Sequence, residues 1–228
     1  MQDSSKVAVI NFLKRWTPQT ILDAPCGNGW LASLLPYSAD IDGVDLYVAP
    51  SVGYRRVLKG DLDEGLAPDL PLYDAILCCE GLDQLGNPML FLMSARRHLA
   101  PGGFILITLP NTWYPESRLL YLVRGFFPSY RYHPERFAPQ NFIQKIPWSF
   151  PQLYLFLKLA GFGEIELQAE QLSQPKHLWE WLIALPQAFY CRSRQREASS
   201  EKERDFWSKA GSPGSRLGRH LIVTARVG

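Results

Sequence analysis

The chain has little of what a disulfide scaffold, a metal ribbon or a nucleic-acid clamp requires. Its 228 residues include four cysteines. Two of these, Cys78 and Cys79, are neighbours, and no C-x-x-C pair occurs. That usage builds neither a disulfide framework nor a zinc site, and it suits a reducing cytosol. Charge of one sign is also missing: 24 Lys and Arg face 22 Asp and Glu, a net of +2. Nucleic-acid binding usually demands a basic face, so no nucleic-acid partner is expected. No apolar run approaches the ~18 residues of a transmembrane helix. Residues 7–10 are too short for the core of a signal peptide and lead straight into Asn11, Lys14 and Arg15. Internal repeats are absent too. What the chain does have is a hydrophobic fraction of 46%, enough for a sizeable core at this length. We therefore expect residues 1–228 to form a single cytoplasmic domain.

Patterning along the chain alternates short apolar runs with helical periodicity. Asp3, Ser4 and Ser5 can cap a helix carrying Val9, Ile10, Leu13 and Trp16, which Thr17-Pro18 ends. Strands are expected at 20–24, 40–46, 55–59, 73–79, 104–109, 164–169 and 220–227. Helices are expected at 30–35, from Asn87-Pro88 to Leu99 with Pro101-Gly102-Gly103 as the stop, at 151–160 and at 177–190. Residues 111–150 mix prolines with aromatics and read as an inserted lid. Residues 192–204 are densely charged and read as a solvated segment. Wholly apolar strands such as Phe104 to Leu109 suit a sheet covered on both faces. Strand–helix alternation implies parallel βαβ units. The expected fold is α/β: a Rossmann-like, doubly wound, seven-stranded sheet, mostly parallel with one antiparallel strand. Within it, 1–110 would form a cofactor-binding half. Residues 151–228 would complete the domain, with a helical insertion before the last strand.

The chemistry concentrates in Asp23-Ala24-Pro25-Cys26-Gly27-Asn28-Gly29. A strand ends in an acid, turns through two glycines and launches a helix. Glycines let backbone approach a ligand that a Cβ would exclude. A helix N-terminus offers N–H groups to a carboxylate, and Asp23 beside it can receive an ammonium group. The pair suits an amino-acid zwitterion. Asp45 ends the second strand, where a carboxylate can accept two ribose hydroxyls. Asp61 follows the third and can accept from an adenine amino group, with Leu46 and Leu62 on either side of the ring. Such positions fall at the carboxyl ends of strands, where open α/β sheets bind ligands.

In order and spacing these residues resemble class I S-adenosylmethionine-dependent methyltransferases. ILDAPCGNG is similar to their first motif, GVDL to the second-strand acid, GDL to the acid after the third strand, and HLAPGGFILITLPN to the fifth-strand signature. Pro25 stands where the family usually has glycine. The segment from Leu109 to Pro128 resembles a bacterial subgroup associated with methionine biosynthesis. The resemblance implies S-adenosylmethionine as cofactor and S-adenosylhomocysteine as product. It places Asp23, Pro25, Gly27, Asn28, Gly29, Asp45, Leu46, Asp61, Leu62 and Cys79 around that cofactor.

Rival readings use the same residues. Gly27-x-Gly29-x-x-Ala32 with Asp45 formally satisfies a dinucleotide fingerprint, although Asp23 would repel a pyrophosphate. Asp-Ala-Pro-Cys also resembles the nucleophile motif of RNA cytosine-5 methyltransferases, which would make Cys26 catalytic. A non-catalytic, cofactor-binding regulator is the alternative from another class.

The catalyst is less legible than the cofactor. The cofactor supplies the activation, and a base is needed only where the acceptor must lose a proton. Glu80-Gly81-Leu82-Asp83-Gln84 is similar to the Glu-x-x-Glu-His pattern of quinone-pathway O-methyltransferases, with Gln84 in the histidine's place. Glu80 remains a candidate, as does His133 in the insertion, while His98, His177 and His220 have no comparable placement. The insertion's aromatics and its scattered arginines suit a hydrophobic or anionic small-molecule acceptor, oxygen or nitrogen. Residues 119–127 would allow shallow membrane contact.

Overall fold

In the computed structural model, residues 3–47, 52–127, 145–168 and 177–227 are described. Their elements run α1 (Asp3–Trp16), β1 (Thr20–Asp23), α2 (Trp30–Leu34), β2 (Asp40–Asp45), β3 (Arg56–Lys59), β4 (Tyr73–Cys79), α3 (Pro88–Arg97), β5 (Leu99–Pro110), α4 (Pro115–Arg124), α5 (Phe150–Leu159), β6 (Glu166–Leu167), α6 (Leu178–Glu197), α7 (Glu201–Ala210), α8 (Pro213–Leu217) and β7 (His220–Arg226). The strands form one sheet in the order β3-β2-β1-β4-β5-β7-β6. Parallel registers join β1 to β2 and β4, β2 to β3, and β4 to β5. Only β7 runs against its neighbours β5 and β6. This is the doubly wound, mostly parallel sheet the sequence implies.

Burial follows from that arrangement. One apolar cluster contains Leu22, Ile76, Ile105, Phe91, Leu92, Trp148, Phe150 and Val223. A smaller one packs Val9, Phe12 and Leu13 of α1 with Ile21, Leu77 and Leu106. Alternate residues of β4 and β5 enter the two clusters, so both faces of the central strands are covered. The uninterrupted apolar runs therefore need no polar alternation. Trp148 and Phe150 are fully buried, which makes the far end of the 111–150 stretch part of the core. Trp148 accepts hydrogen bonds through its carbonyl from both Thr112 N (2.9 Å) and Thr112 Oγ1 (2.7 Å).

Several boundaries differ from expectation for identifiable reasons. Pro101-Gly102-Gly103 does not stop α3. His98 caps that helix, its N–H reaching the carbonyls of Ala95 and Arg96, and Leu99 already pairs with Tyr73. The proline–glycine turn is instead a bulge inside β5, between the pairings Tyr73↔Leu99 and Ala75↔Phe104. A Cβ on Gly103 would meet three carbonyl oxygens at 2.9–3.0 Å, so close backbone approach requires glycine there. The charged 192–204 stretch is largely helical: α6 continues through Pro186 to Glu197, and Ser200 caps α7 by accepting from Glu203 N. β6 is only two residues long. The insertion contains α4, opened by Pro115 and closed by Gly125 at φ +78°.

Candidate active site

Parallel strands in this sheet end at one edge, and that edge collects the acids. Asp23 closes β1 and Asp45 closes β2. Asp61 follows β3, and Glu80 follows β4. The register sets Asp23 beside Gly43 and Leu77.

Asp23 has no exposed surface. Tyr54 donates its hydroxyl to Asp23 Oδ2 at 2.5 Å, while Oδ1 has no hydrogen-bond partner among the described residues. Burial pushes this carboxyl up to about 7, with the Tyr54 bond opposing and Asp45 adding to the rise. A buried carboxylate with one bare oxygen is costly alone and well matched to a cation. Tyr54 was not anticipated. Its only sequence signal is an aromatic residue in the loop before β3, which no pattern distinguishes from a packing residue.

The glycine turn is fixed from both sides. Gly27 N donates to Asp45 Oδ2 at 2.9 Å, and Cys26 N donates to the Val44 carbonyl at 3.0 Å. Gly27 and Gly29 adopt φ of +55° and +72°. A Cβ on Gly27 would meet nothing within 4 Å, so its requirement is conformational and leaves open space above the turn. Asn28 is exposed beside it. Pro25 packs over Gly81, where an added Cβ would lie 2.2 Å from the proline Cδ. That proline therefore joins the turn after β1 to the turn after β4.

Other cofactor candidates divide. Asp45 is buried, and its second oxygen accepts from Tyr47 N at 2.9 Å. Asp61 accepts from Asp63 N at 2.9 Å, capping a short 3-10 turn. Leu46 is exposed, Leu62 lies in the larger core cluster, and Cys79 is buried at the end of β4. Burial and the Asp23 and Asp45 charges push the Cys26 thiol up to about 12. An attacking cysteine needs its thiolate, and this shift runs against it.

The second acid group surrounds Glu80. Its backbone is left-handed, φ +55°, a region unfavourable for a residue with a side chain. Glu80 N donates to the Thr108 carbonyl at 2.9 Å, and Gln84 Nε2 donates to the Glu80 carbonyl at 2.6 Å. Thr108 Oγ1 donates to Glu80 Oε1 at 3.2 Å. The other oxygen, Oε2, lies 3.7 Å from His220 Nε2. Asp83 is buried, and burial with the nearby Glu80 charge raises it to about 6, against its own backbone hydrogen bond and His220. The expectation that His220 had no special placement is thus corrected. β7 runs antiparallel, so its first residue pairs with Pro110 at the edge where the parallel strands finish. His133 lies outside the described residues. A cleft of about 580 Å³ lined by Phe12, Trp16, Phe104 and Arg226 sits at the opposite end of the strands, away from all these acids.

A sheet of this order, with β7 reversed and acids at the parallel strand ends, defines the class I methyltransferase architecture. Known proteins agree. A profile of the methyltransferase domain matches residues 7–149, and the chain belongs to that family. The ubiquinone biosynthesis O-methyltransferase of Dechloromonas aromatica is 26% identical over 117 residues, 45% of this chain and 49% of that protein. Its counterpart in Alkalilimnicola ehrlichii is 28% identical over 105 residues, 40% of this chain and 41% of that one. The chain thus spans about half, or less, of the length of these curated relatives. Among solved structures, an S-adenosylmethionine-dependent methyltransferase from Thermotoga maritima gives a TM-score of 0.58 at 16% identity, covering 98% of this chain and 89% of that one. Another from Mesorhizobium loti gives 0.53 at 16% identity, with 95% and 96% covered. These similarities concern the fold.

Proposed function

We propose that the chain binds S-adenosylmethionine at the Asp23–Gly29 turn and transfers its methyl group to a small acceptor, with oxygen as the attacking atom. The observation that carries the cofactor assignment is the bare, buried Oδ1 of Asp23 beside two left-handed glycines. An ammonium group satisfies that oxygen, and the open backbone at Gly27 admits a carboxylate. Asp45 already holds the turn through Gly27 N and keeps lone pairs for ribose hydroxyls. Asp61 supplies an acceptor for the adenine edge. When bound, the cofactor supplies an activated methyl on cationic sulfur, and the protein's part is to orient the acceptor and exclude water. The choice of oxygen is supported by the names of the curated relatives and by the acidic group around Glu80. A cytoplasmic setting is supported by four buried free cysteines. Among the described residues no helix is long and apolar enough to cross a membrane. Return of β7 between β5 and β6 supports reading the whole as one domain.

Calorimetry with S-adenosylhomocysteine tests the assignment. Wild type is expected to bind, and Asp23→Asn to bind at least about tenfold more weakly, the loss of a charged hydrogen bond. Gly27→Val should abolish binding by forcing the turn out of its left-handed conformation. No binding by wild type would overturn the reading; unchanged binding by both variants would move the site elsewhere.

A further inference from the structure

We infer that His220 is the base that takes the acceptor's proton during methyl transfer, with Glu80 and Asp83 as the acids that orient and charge-balance it. The inference rests on the methyltransferase reading above and adds a residue to it.

Three observations converge. First, topology delivers the imidazole to the right edge. β7 opens at the carboxyl end of β5, and Asn111 locks that entry: its N–H donates to the Arg219 carbonyl at 2.9 Å, and its Nδ2 to the carbonyls of Ser215 and Gly218 at 2.8 and 2.7 Å. Second, Glu80 is held in a strained backbone conformation by Thr108 and Gln84. The strain sets one oxygen on Thr108 and the other toward the imidazole at 3.7 Å. Strain retained at such a point calls for a role that repays it. Third, Asp83 Oδ1 is buried and has no hydrogen-bond partner among the described residues. Its charge also bears on His220. A carboxylate beside a histidine stabilises imidazolium, the form a base reaches when it has done its work.

The apparent loss of a histidine at Gln84 is thereby explained. Gln84 positions Glu80 through its carbonyl, and the imidazole arrives from β7 instead. Both His220 and Glu80 keep about one-fifth of their side-chain surface exposed (21% and 20%), so an acceptor can reach them. With Nε2 turned toward Glu80, the free lone pair belongs on Nδ1. In the transfer, the acceptor O–H bond breaks and its proton passes to His220 Nδ1. The oxygen bonds to the methyl carbon, and the carbon–sulfur pair returns to sulfur and cancels its positive charge. The proton then leaves the imidazole to solvent. The acceptor class this fits is a hydroxyl acidic enough, as a phenol is, for imidazole to deprotonate it in the transition state.

Groups facing His220 are Glu80 from the turn after β4 and Asp83 from the next turn. Arg219, its neighbour on the chain, is directed to the Tyr114 ring, Glu116 and Glu180. One test needs no turnover. Ring resonances of His220, assigned by their loss in His220→Gln, are compared at one pH in wild type and in Glu80→Gln. Removing the carboxylate should displace them; unmoved resonances overturn the pairing. The second test measures methyl transfer from S-adenosylmethionine to 4-nitrocatechol, 3,4-dihydroxybenzoate and a catechol bearing one isoprenoid unit. His220→Gln should lower kcat at saturating cofactor by about 100-fold or more, with S-adenosylhomocysteine affinity within twofold of wild type. Retained kcat overturns the assignment, as does a loss seen in His133→Gln but absent from His220→Gln. If wild type binds S-adenosylhomocysteine and methylates none of the three, the hydroxyl-acceptor assignment fails while the cofactor reading stands. If it does not bind, both fail.

Discussion

At the scale of single residues, Asp23 carries the sharpest consequences. Its folded carboxyl titrates near 7 because it is buried, whereas an unfolded chain gives about 3.9. The unliganded fold therefore holds a proton that the unfolded chain has lost, and its stability falls as pH rises from about 4 to about 7. Asp23→Asn should remove that slope and leave the unliganded protein more stable than wild type at pH 8, by at most on the order of 4 kcal/mol. Thermal melts at pH 4.5 and pH 8 check the sign. Ligand affinity should run the other way. An ammonium group needs the ionised acid, so S-adenosylhomocysteine binding should weaken by up to about tenfold per pH unit below 7. Tyr54→Phe removes the hydroxyl that favours ionisation and should shift this dependence to higher pH, read by the same titrations. Of this candidate site, Gly27 and Gly29 stand out in the sequence because the turn needs left-handed backbone, and Asp23 and Asp45 because they are acids at the ends of apolar strands. Tyr54 and His220 were not legible. Their contacts run across 31 residues to Asp23 for the first and across the sheet to Glu80 for the second, and no local pattern encodes either.

Elements are held together by polar anchors as much as by apolar faces. Asp42 of β2 is fully buried and accepts from Arg55 Nε (2.9 Å) and Nη2 (2.7 Å), Arg56 Nε (3.0 Å) and Tyr73 Oη (2.7 Å). Burial opposes its charge, but these hydrogen bonds outweigh it and hold the carboxyl below the usual range. It ties β2 to β3 and to the start of β4. Asp42→Ala should cost about 3 kcal/mol at pH 7, measured by urea unfolding. The stabilisation is present above the unfolded pKa and is lost as pH falls through the lowered folded one. Wild type and Asp42→Ala should therefore converge in acid. The element pattern shows why boundaries were harder to read than elements. The central strands announce themselves through apolar runs, whereas β6 is two residues held by pairing with Thr224 and Val223. The charged helix α6 owes its order to tertiary anchors. Arg118 reaches the Ile183 carbonyl, Arg216 the Ala184 carbonyl, and Tyr114 donates to the buried Glu180 at 2.6 Å.

For the whole molecule, the cofactor edge joins the ends of β1, β2 and β4 within one continuous sheet, so occupancy should stabilise the fold globally. At a hundredfold excess over Kd, a ligand bound only to the folded state adds about 2.7 kcal/mol. For a domain of this size that raises the thermal midpoint by about 5–10 °C. Scanning fluorimetry with S-adenosylhomocysteine should show this rise in wild type and little of it in Asp23→Asn. The exposed apolar side chains of α4 and α6, among them Leu122, Val123, Leu178 and Phe189, lie outside this account. They also show why composition alone could not separate core from surface in the aromatic half of the chain.

The reversed strand has a consequence in time as well as in space. β7 is the last described strand to be synthesised, yet it enters the sheet between β5 and β6, both made earlier. β6 pairs only with β7 among the described strands, so it can join the sheet only once residues 220–226 have been made. Completion of the sheet thus waits on the arrival of a single antiparallel strand, the same one that carries His220 to the edge where the parallel strands finish.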